Sequence, residues 1–245
     1  MATSIRLAEN ADFSGAGLGM ILPVPDLQVF NYFGGTLEKS VVNYAGGAPL
    51  TPNVSPTGTL TINPTSVDCQ SVTPLACFET GIVEPEEWTM MFVGMAPNPI
   101  AVNNDRPFFI GNYTRSSESY SGAGVYFNLT GGAVLILGND TGASKAVTLA
   151  TTQTAPHFYA ARLSGGTITL HDKTQDISAS ATDDRATPLA SSTNLRIGSS
   201  GNATTMYGTS RQHWAGIASR GLSDAEITAT YQQVKRAMAS RGVTI

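Results

Sequence analysis

Apolar residues in this chain fall in short runs with the period of strands. Trp88 to Val93 (WTMMFV), Arg106 to Gly111 (RPFFIG), Gly124 to Leu129 (GVYFNL), Ala133 to Leu137 (AVLIL) and Lys145 to Leu149 each read as one strand. So do His157 to Leu163 (HFYAARL), Thr167 to His171 (TITLH), Asn194 to Gly198 and His213 to Ser219, all bounded by Gly, Ser, Asn or Pro. Two pairs predict hairpins. Residues 124–129 turn into 133–137 through Thr130, Gly131 and Gly132, and residues 157–163 turn into 167–171 through Ser164, Gly165 and Gly166. The tail breaks the period. Ser223 is a good N-cap, Glu226 three residues on completes a capping box, and Leu222 with Ile227 has the spacing of a hydrophobic staple. Ile227, Tyr231, Val234 and Met238 form one apolar stripe at helical spacing. Asp224 and Glu226 sit at the positive helix end, Lys235, Arg236 and Arg241 toward the negative end, and Gly242 stops the run. The spacing predicts one helix over 223–241, laid across a sheet.

The leading third is less regular. In residues 1–35 an apolar stretch from Leu18 to Phe33 is broken by Pro23, Pro25 and Asp26, and reads as an irregular arm that packs on a neighbour. Residues 45–76 hold Pro49, Pro52, Pro56, Pro64 and Pro74, leaving one legible strand, Gly58 to Ile62, amid loop or short edge strands. Strands never alternate with helices, no fixed period repeats, and no linker divides the chain. The expected fold class is therefore all-β: a sandwich of two antiparallel sheets over residues 36–245, closed by one C-terminal α-helix.

Composition narrows the setting. The 245 residues are 41% hydrophobic and only 13% charged, about half the usual charged share. The Thr-, Gly- and Asn-rich remainder suits a secreted or virion β-protein rather than a disordered chain. The net charge is −4, with 11 acidic and 4 basic residues in 1–122 against 7 and 10 in 123–245. No basic cluster stands out, which argues against nucleic acid as a partner. The opening residues lack the apolar core of a secretory leader, and no stretch approaches the roughly 18 apolar residues of a membrane span. If the protein leaves its cell, lysis, assembly into a particle or a route the sequence does not show is expected, without membrane insertion.

Four stretches carry a resemblance. Glu87 to Met95 (EWTMMFVGM), His157 to Gln175 (HFYAARLSGGTITLHDKTQ), Asn194 to Ser200 (NLRIGSS) and His213 to Tyr231 (HWAGIASRGLSDAEITATY) are similar to successive segments of the concanavalin A-like lectin/glucanase superfamily in its laminin G-like form. The last is the most specific, and together they span roughly residues 80–232. The resemblance implies a concanavalin A-like jelly roll whose usual work is carbohydrate or protein binding, as in bacteriophage tail and receptor-binding proteins. Expected partners are a cell-surface glycan or protein and other virion proteins, with a homo-oligomer, a trimer foremost, as the assembly. Structural decoration or fibre anchoring is the alternative reading, and glycan hydrolysis the third.

Hydrolysis needs an acid and a nucleophile on one strand face, about 5 Å apart in the retaining case. The acidic residues do not supply that pattern. Glu84, Glu86 and Glu87 surround a proline and read as a solvated turn, Asp172 and Asp176 flank a hairpin, and Asp183 with Asp184 lies in a loop. No G-x-S-x-G elbow is present. His157, His171 and His213 read as structural residues at strand edges, and Trp88 and Trp214 as core, so no enzyme is expected. Ligand contacts must then come from loops. Asn103, Asp105, Asn112 and Tyr113 around strand 106–111, Tyr120 in a Ser/Gly-rich loop and Tyr207 in loop 199–212 combine aromatic faces with hydrogen-bonding side chains, as sugar pockets do. No cofactor is called for, although calcium has oxygen ligands available in Asp105 and Asn103. Cys69 and Cys77, separated by seven residues, either close a disulfide or stay as two thiols.

Overall fold

A computed structural model of the chain describes residues 22–55, 58–70, 76–115, 120–139, 144–151, 155–185, 191–200 and 206–245. Strands β1 (Leu27–Tyr32), β3 (Thr59–Ile62), β4 (Val67–Gln70), β6 (Trp88–Met95), β13 (His157–Ser164), β14 (Thr167–Asp172), β15 (Ile177–Thr182) and β17 (Thr209–Ala218) make an eight-stranded antiparallel sheet. Its order is β15-β14-β13-β6-β17-β4-β3, with β1 paired to the second half of β17. Strands β2 (Thr51–Val54), β5 (Ala76–Glu79), β7 (Phe108–Gly111), β10 (Ala123–Phe127), β11 (Ala133–Gly138), β12 (Ser144–Leu149) and β16 (Arg196–Ile197) make a seven-stranded antiparallel sheet in the order β12-β11-β10-β7-β16-β5-β2. A small ribbon joins β8 (Thr114–Arg115) to β9 (Tyr120–Ser121). Besides the single turn α1 (Leu37–Ser40), the described α-helix is α2 (Asp224–Ser240). The fold is the expected all-β jelly-roll sandwich with a C-terminal helix.

The continuous apolar strands follow from burial on both faces. In β6, Trp88, Met90 and Phe92 point between the sheets, whereas Met91 and Val93 point outward under α2. Phe92 stacks on Phe109 of the opposite sheet at 4.8 Å and on Tyr159 at 5.0 Å, and Phe109 meets Phe127 at 4.3 Å, tying the sheets through one aromatic column. Both hairpins form. The second turns at Gly165 and Gly166, whose φ of +54° and +68° lies in the region only glycine enters without cost. Helix α2 has the expected capping box, and Ile227, Tyr231, Val234 and Met238 are buried against Phe30, Phe158 and Trp214. Both tryptophans are fully buried.

The sequence reading and the structure part in the leading third. Residues 1–21 lie outside the described residues, but residues 27–32 of the expected arm are β1, in register with Trp214 to Ala218, and Phe30 and Phe33 are core. The Pro-rich stretch holds β2, a short edge strand as expected, and β4, which lies inside its sheet, with β5 beginning at its last residue. Pro52 sits in β2 at the outer edge of its sheet, where a missing N–H costs no ladder bond. Glu84 is half-buried rather than solvated, and burial pushes its carboxyl above the usual carboxylate range. Glu86 and Glu87 are exposed, and Glu87 accepts from the Gly165 amide at 2.6 Å. Cys69 on β4 and Cys77 on β5 are buried free thiols, flanking residues 71–75 that lie outside the described set. Burial pushes the Cys77 thiol up to about 12 and that of Cys69 well above its ordinary value.

Candidate functional site

The two outer faces of the sandwich are treated differently. Helix α2 covers the eight-stranded sheet, whereas no helix covers the seven-stranded one among the described residues. Phe108, Tyr126, Val134 and Ile136 point outward there, and Tyr113, Tyr120 and Met206 close over them. Tyr113 and Tyr120 stack at 6.1 Å, and the Arg106 guanidinium lies 5.2 Å from the Tyr126 ring centre. Of the expected ligand residues, Tyr113 and Tyr120 lie in this cluster, and the 103–105 turn is tied to it by Arg106, whose Nε donates to the Asn103 carbonyl at 2.9 Å. Asn103 and Asp105 form a short 3-10 turn, with Asp105 accepting from the Val102 amide at 3.2 Å. The Tyr207 amide donates to the Asn104 carbonyl at 2.7 Å, and Gly208 bridges to Pro107. The approach is so close that a Cβ at Gly208 would lie 1.8 Å from the Asp105 carbonyl oxygen.

The six residues do not play equal parts. Asn112 is fully buried; its amide donates to the Thr193 carbonyl at 3.0 Å and its oxygen accepts from the Ala123 amide at 3.0 Å. Those bonds pin β10 beside β7, and with no exposed surface Asn112 is out of reach of a ligand. Tyr113 is only 3% exposed and acts as the floor under Tyr120. Asn103 is exposed, and Asp105, Tyr120 and Tyr207 are half-buried. Residues 201–205 of the expected loop lie outside the described set, and its far end, from Thr209, is strand β17. Among the described residues, no three His, Cys, Asp or Glu side chains gather as a metal site requires. No described helix is long and apolar enough to cross a membrane.

Asp172 and Asp183 are held in buried pairs, and Asp176 and Asp184 in exposed ones. Asp172 is fully buried, 2.7 Å from His157 Nδ1, and accepts from the Thr174 and Gln175 amides. Asp183 is chelated by Arg185, Asp184 pairs with Lys145, and Asp176 pairs with Lys173.

One further feature was not legible in the sequence. Where the turn 63–66, the ends of β6 and β17, Pro156 and the tail after α2 meet, the surface opens into a cleft of about 470 Å³. This size lies within the roughly 300–1,000 Å³ of small-molecule sites. His213 and Arg211 line it from β17, Asn63, Thr65 and Ser66 from the turn, Met95 from the end of β6 beside Arg211, and Pro156 from the segment before β13. His213 is 5% exposed, its Nδ1 stands 2.9 Å from the Thr65 carbonyl oxygen, and its Nε2 is buried without a partner. Asn63 Nδ2 is likewise buried and unpartnered. Each such atom costs a fold about 1–3 kcal/mol unless something fills its valence.

No family model matches the chain, and no curated protein does. Solved structures do. The botulinum neurotoxin serotype G binding domain superposes with a TM-score of 0.62 at 10% identity, over 85% of this chain and 51% of that one. The serotype D ligand-binding domain in complex with N-acetylneuraminic acid gives 0.60 at 12%, over 85% and 51%. The binding domain of Paraclostridial Mosquitocidal Protein 1 gives 0.61 at 10%, over 85% and 52%. This chain thus spans about half the length of these neighbours. At such identities the likeness is one of fold: a two-sheet, jelly-roll-like β-sandwich.

Proposed function

We propose that this chain is a non-enzymatic, lectin-like module that binds a host-surface glycan through the outer face of its seven-stranded sheet, as part of a virion attachment protein of the phage-tail type. The observation that carries the reading is that Tyr120 packs on the aromatic cluster of the face that no described helix covers, and that the 103–105 turn, which the Tyr207 amide joins, is tied to the same cluster by Arg106. Aromatic rings offer apolar faces to sugar C–H groups, and the Asn and Asp side chains accept and donate around them. The sandwich neighbours are titled as binding domains, one of them bound to N-acetylneuraminic acid, which supports a sugar as the ligand class. The low charge, the Thr- and Gly-rich composition and the resemblance of residues 80–232 to concanavalin A-like modules are what the virion setting rests on, and a trimer is the assembly proposed with it.

A glycan array probed with the full chain tests the reading. Binding of one glycan class is expected, weakened roughly tenfold by Tyr120→Ala and by Tyr207→Ala with the fold intact, as loss of one aromatic anchor does. A silent array with a chain that sediments as an oligomer would instead place the module among packing subunits.

A further inference from the structure

We propose, on the footing of that glycan reading, that the outer face of the seven-stranded sheet selects an acidic sugar over its neutral counterpart, and that Arg106 selects it by pairing with the sugar carboxylate. Arg106 links the 103–105 turn to β7 and is half-buried. Its guanidinium lies 5.2 Å from the centre of the Tyr126 ring, and its Nε donates to the Asn103 carbonyl in an exposed bond of 2.9 Å. The backbone around it is fixed as well. The Gly208 amide donates to the Arg106 carbonyl at 3.2 Å, and buried Pro107 follows. A mobile arginine gives up much rotamer freedom on binding an anion. Here the ring and the Asn103 bond restrain the side chain in advance, so its Nη end is a preorganised fork for a carboxylate.

Charge balance sets Arg106 apart. Arg162, Arg185, Arg196, Arg211 and Arg220 each hold a carboxylate oxygen at 2.8 Å or less. Arg106 has no carboxylate within 4.0 Å among the described residues. Asp105, its neighbour in the chain, turns Oδ2 back to the Val102 amide at 3.2 Å. The group beside the guanidinium is the Tyr126 phenol, which is neutral at pH 7 because burial raises it above its ordinary value. Two other described arginines without a carboxylate, Arg236 and Arg241, belong to α2 and its C-cap, outside the other sheet. The sheet face thus carries one positive charge that the fold does not neutralise. One guanidinium matches the single carboxylate of a uronic or sialic acid. A phosphate-rich polymer calls for a basic cluster, which the sequence lacks. Half-buried Tyr120, in the same aromatic layer as Tyr126, supplies a ring for the sugar C–H face.

The test is an NMR titration of the full chain at pH 7 with two pairs of probes, each pair differing in one charge. Methyl glucuronide is set against methyl glucoside, and the methyl glycoside of N-acetylneuraminic acid against its methyl ester. At least one acid is expected to bind about tenfold more tightly than its neutral twin, the worth of one charge-assisted contact. That margin is expected to shrink as salt is raised, since an exposed ion pair is screened. Arg106→Gln is expected to abolish the margin. Arg106→Lys, which keeps the charge and loses the fork, serves if the glutamine variant does not fold, and is expected to weaken the acid more than its twin. Twins bound equally by the wild type, a margin that survives in both variants, or an equal fall for acid and twin, as a mere prop for the turn would give, would each overturn the proposal. Equal binding of the twins together with its loss in Tyr120→Ala would remove the selection and keep the glycan face. No binding of any probe would overturn the proposal, and a silent glycan array beside it would overturn the glycan reading too.

Discussion

His213 shows how little of a residue's chemistry is local. Its neighbours in sequence, Gln212 and Trp214, are buried strand residues, and the run HWAGIA reads as a structural strand. That reading holds for Nδ1, which secures the turn at Thr65, but not for Nε2, whose surroundings are set by residues such as Asn63 that are distant in the chain. The same burial gives the residue a pH signature. Its imidazole titrates near 4, down from an ordinary 6.5, mainly through burial and then through the Arg211 and Arg241 charges, against the raising effect of the Thr65 bond. Between those values the unfolded chain takes up a proton that the folded chain refuses. His213 thus contributes stability that is complete above about pH 6.5 and is lost as pH falls toward 4, about 3 kcal/mol over the window. Urea unfolding of the wild type is expected to show this loss, and His213→Asn to lose about 3 kcal/mol less across it. Equal pH slopes in the two proteins would place the acid sensitivity elsewhere. Asn112 makes the complementary point. Its type and its place beside β7 suit a ligand contact, but complete burial turned both its amide atoms inward.

At the scale of elements, legibility followed the completeness of the local signal. Helix α2 was readable to within a residue because its cap, staple, stripe and stop all lie inside one short segment. The two hairpins were readable because their turns carry the glycines that positive φ demands. Strand β1 was not. It follows Pro23 and Pro25, and its pairing partner β17 lies nearly two hundred residues along the chain. Strands β2, β4 and β5 are four residues each amid prolines, too short to show a period. The place of β1 has a consequence. Deleting residues 1–35 removes the β1 ladder on β17 and strips Phe30 from Trp214, which it meets edge-on at 5.2 Å. Loss of one buried aromatic alone costs about 3–5 kcal/mol. The truncated chain is therefore expected to lose its cooperative thermal transition. A truncated chain melting as the full one does would show the arm to be dispensable.

The molecule as a whole is three stacked apolar layers, the main core between the sheets, the α2 layer outside one sheet and the smaller aromatic layer outside the other. Central strands β6, β13 and β17 are covered on both faces, while β2, β3, β12 and β15 are sheet edges with exposed positions. Hydrogen exchange is expected to be slowest in β6, β13 and β17 and fastest in the edge strands, with the α2 amides facing the sheet between them. Edge amides as slow as those of β6 would contradict the layer order. The sequence by itself determined the sandwich class and the α2 dock, because the period of apolar residues reports which faces are buried wherever a segment is long enough to have a period. Tertiary structure alone decided that β1 belongs to the sheet, that Asn112 is a buried strut while Tyr120 and Tyr207 stay partly exposed, and that Asn63, Met95, Pro156, His213 and Val243 share one cleft. Those outcomes depend on pairing and close approach between distant stretches of chain.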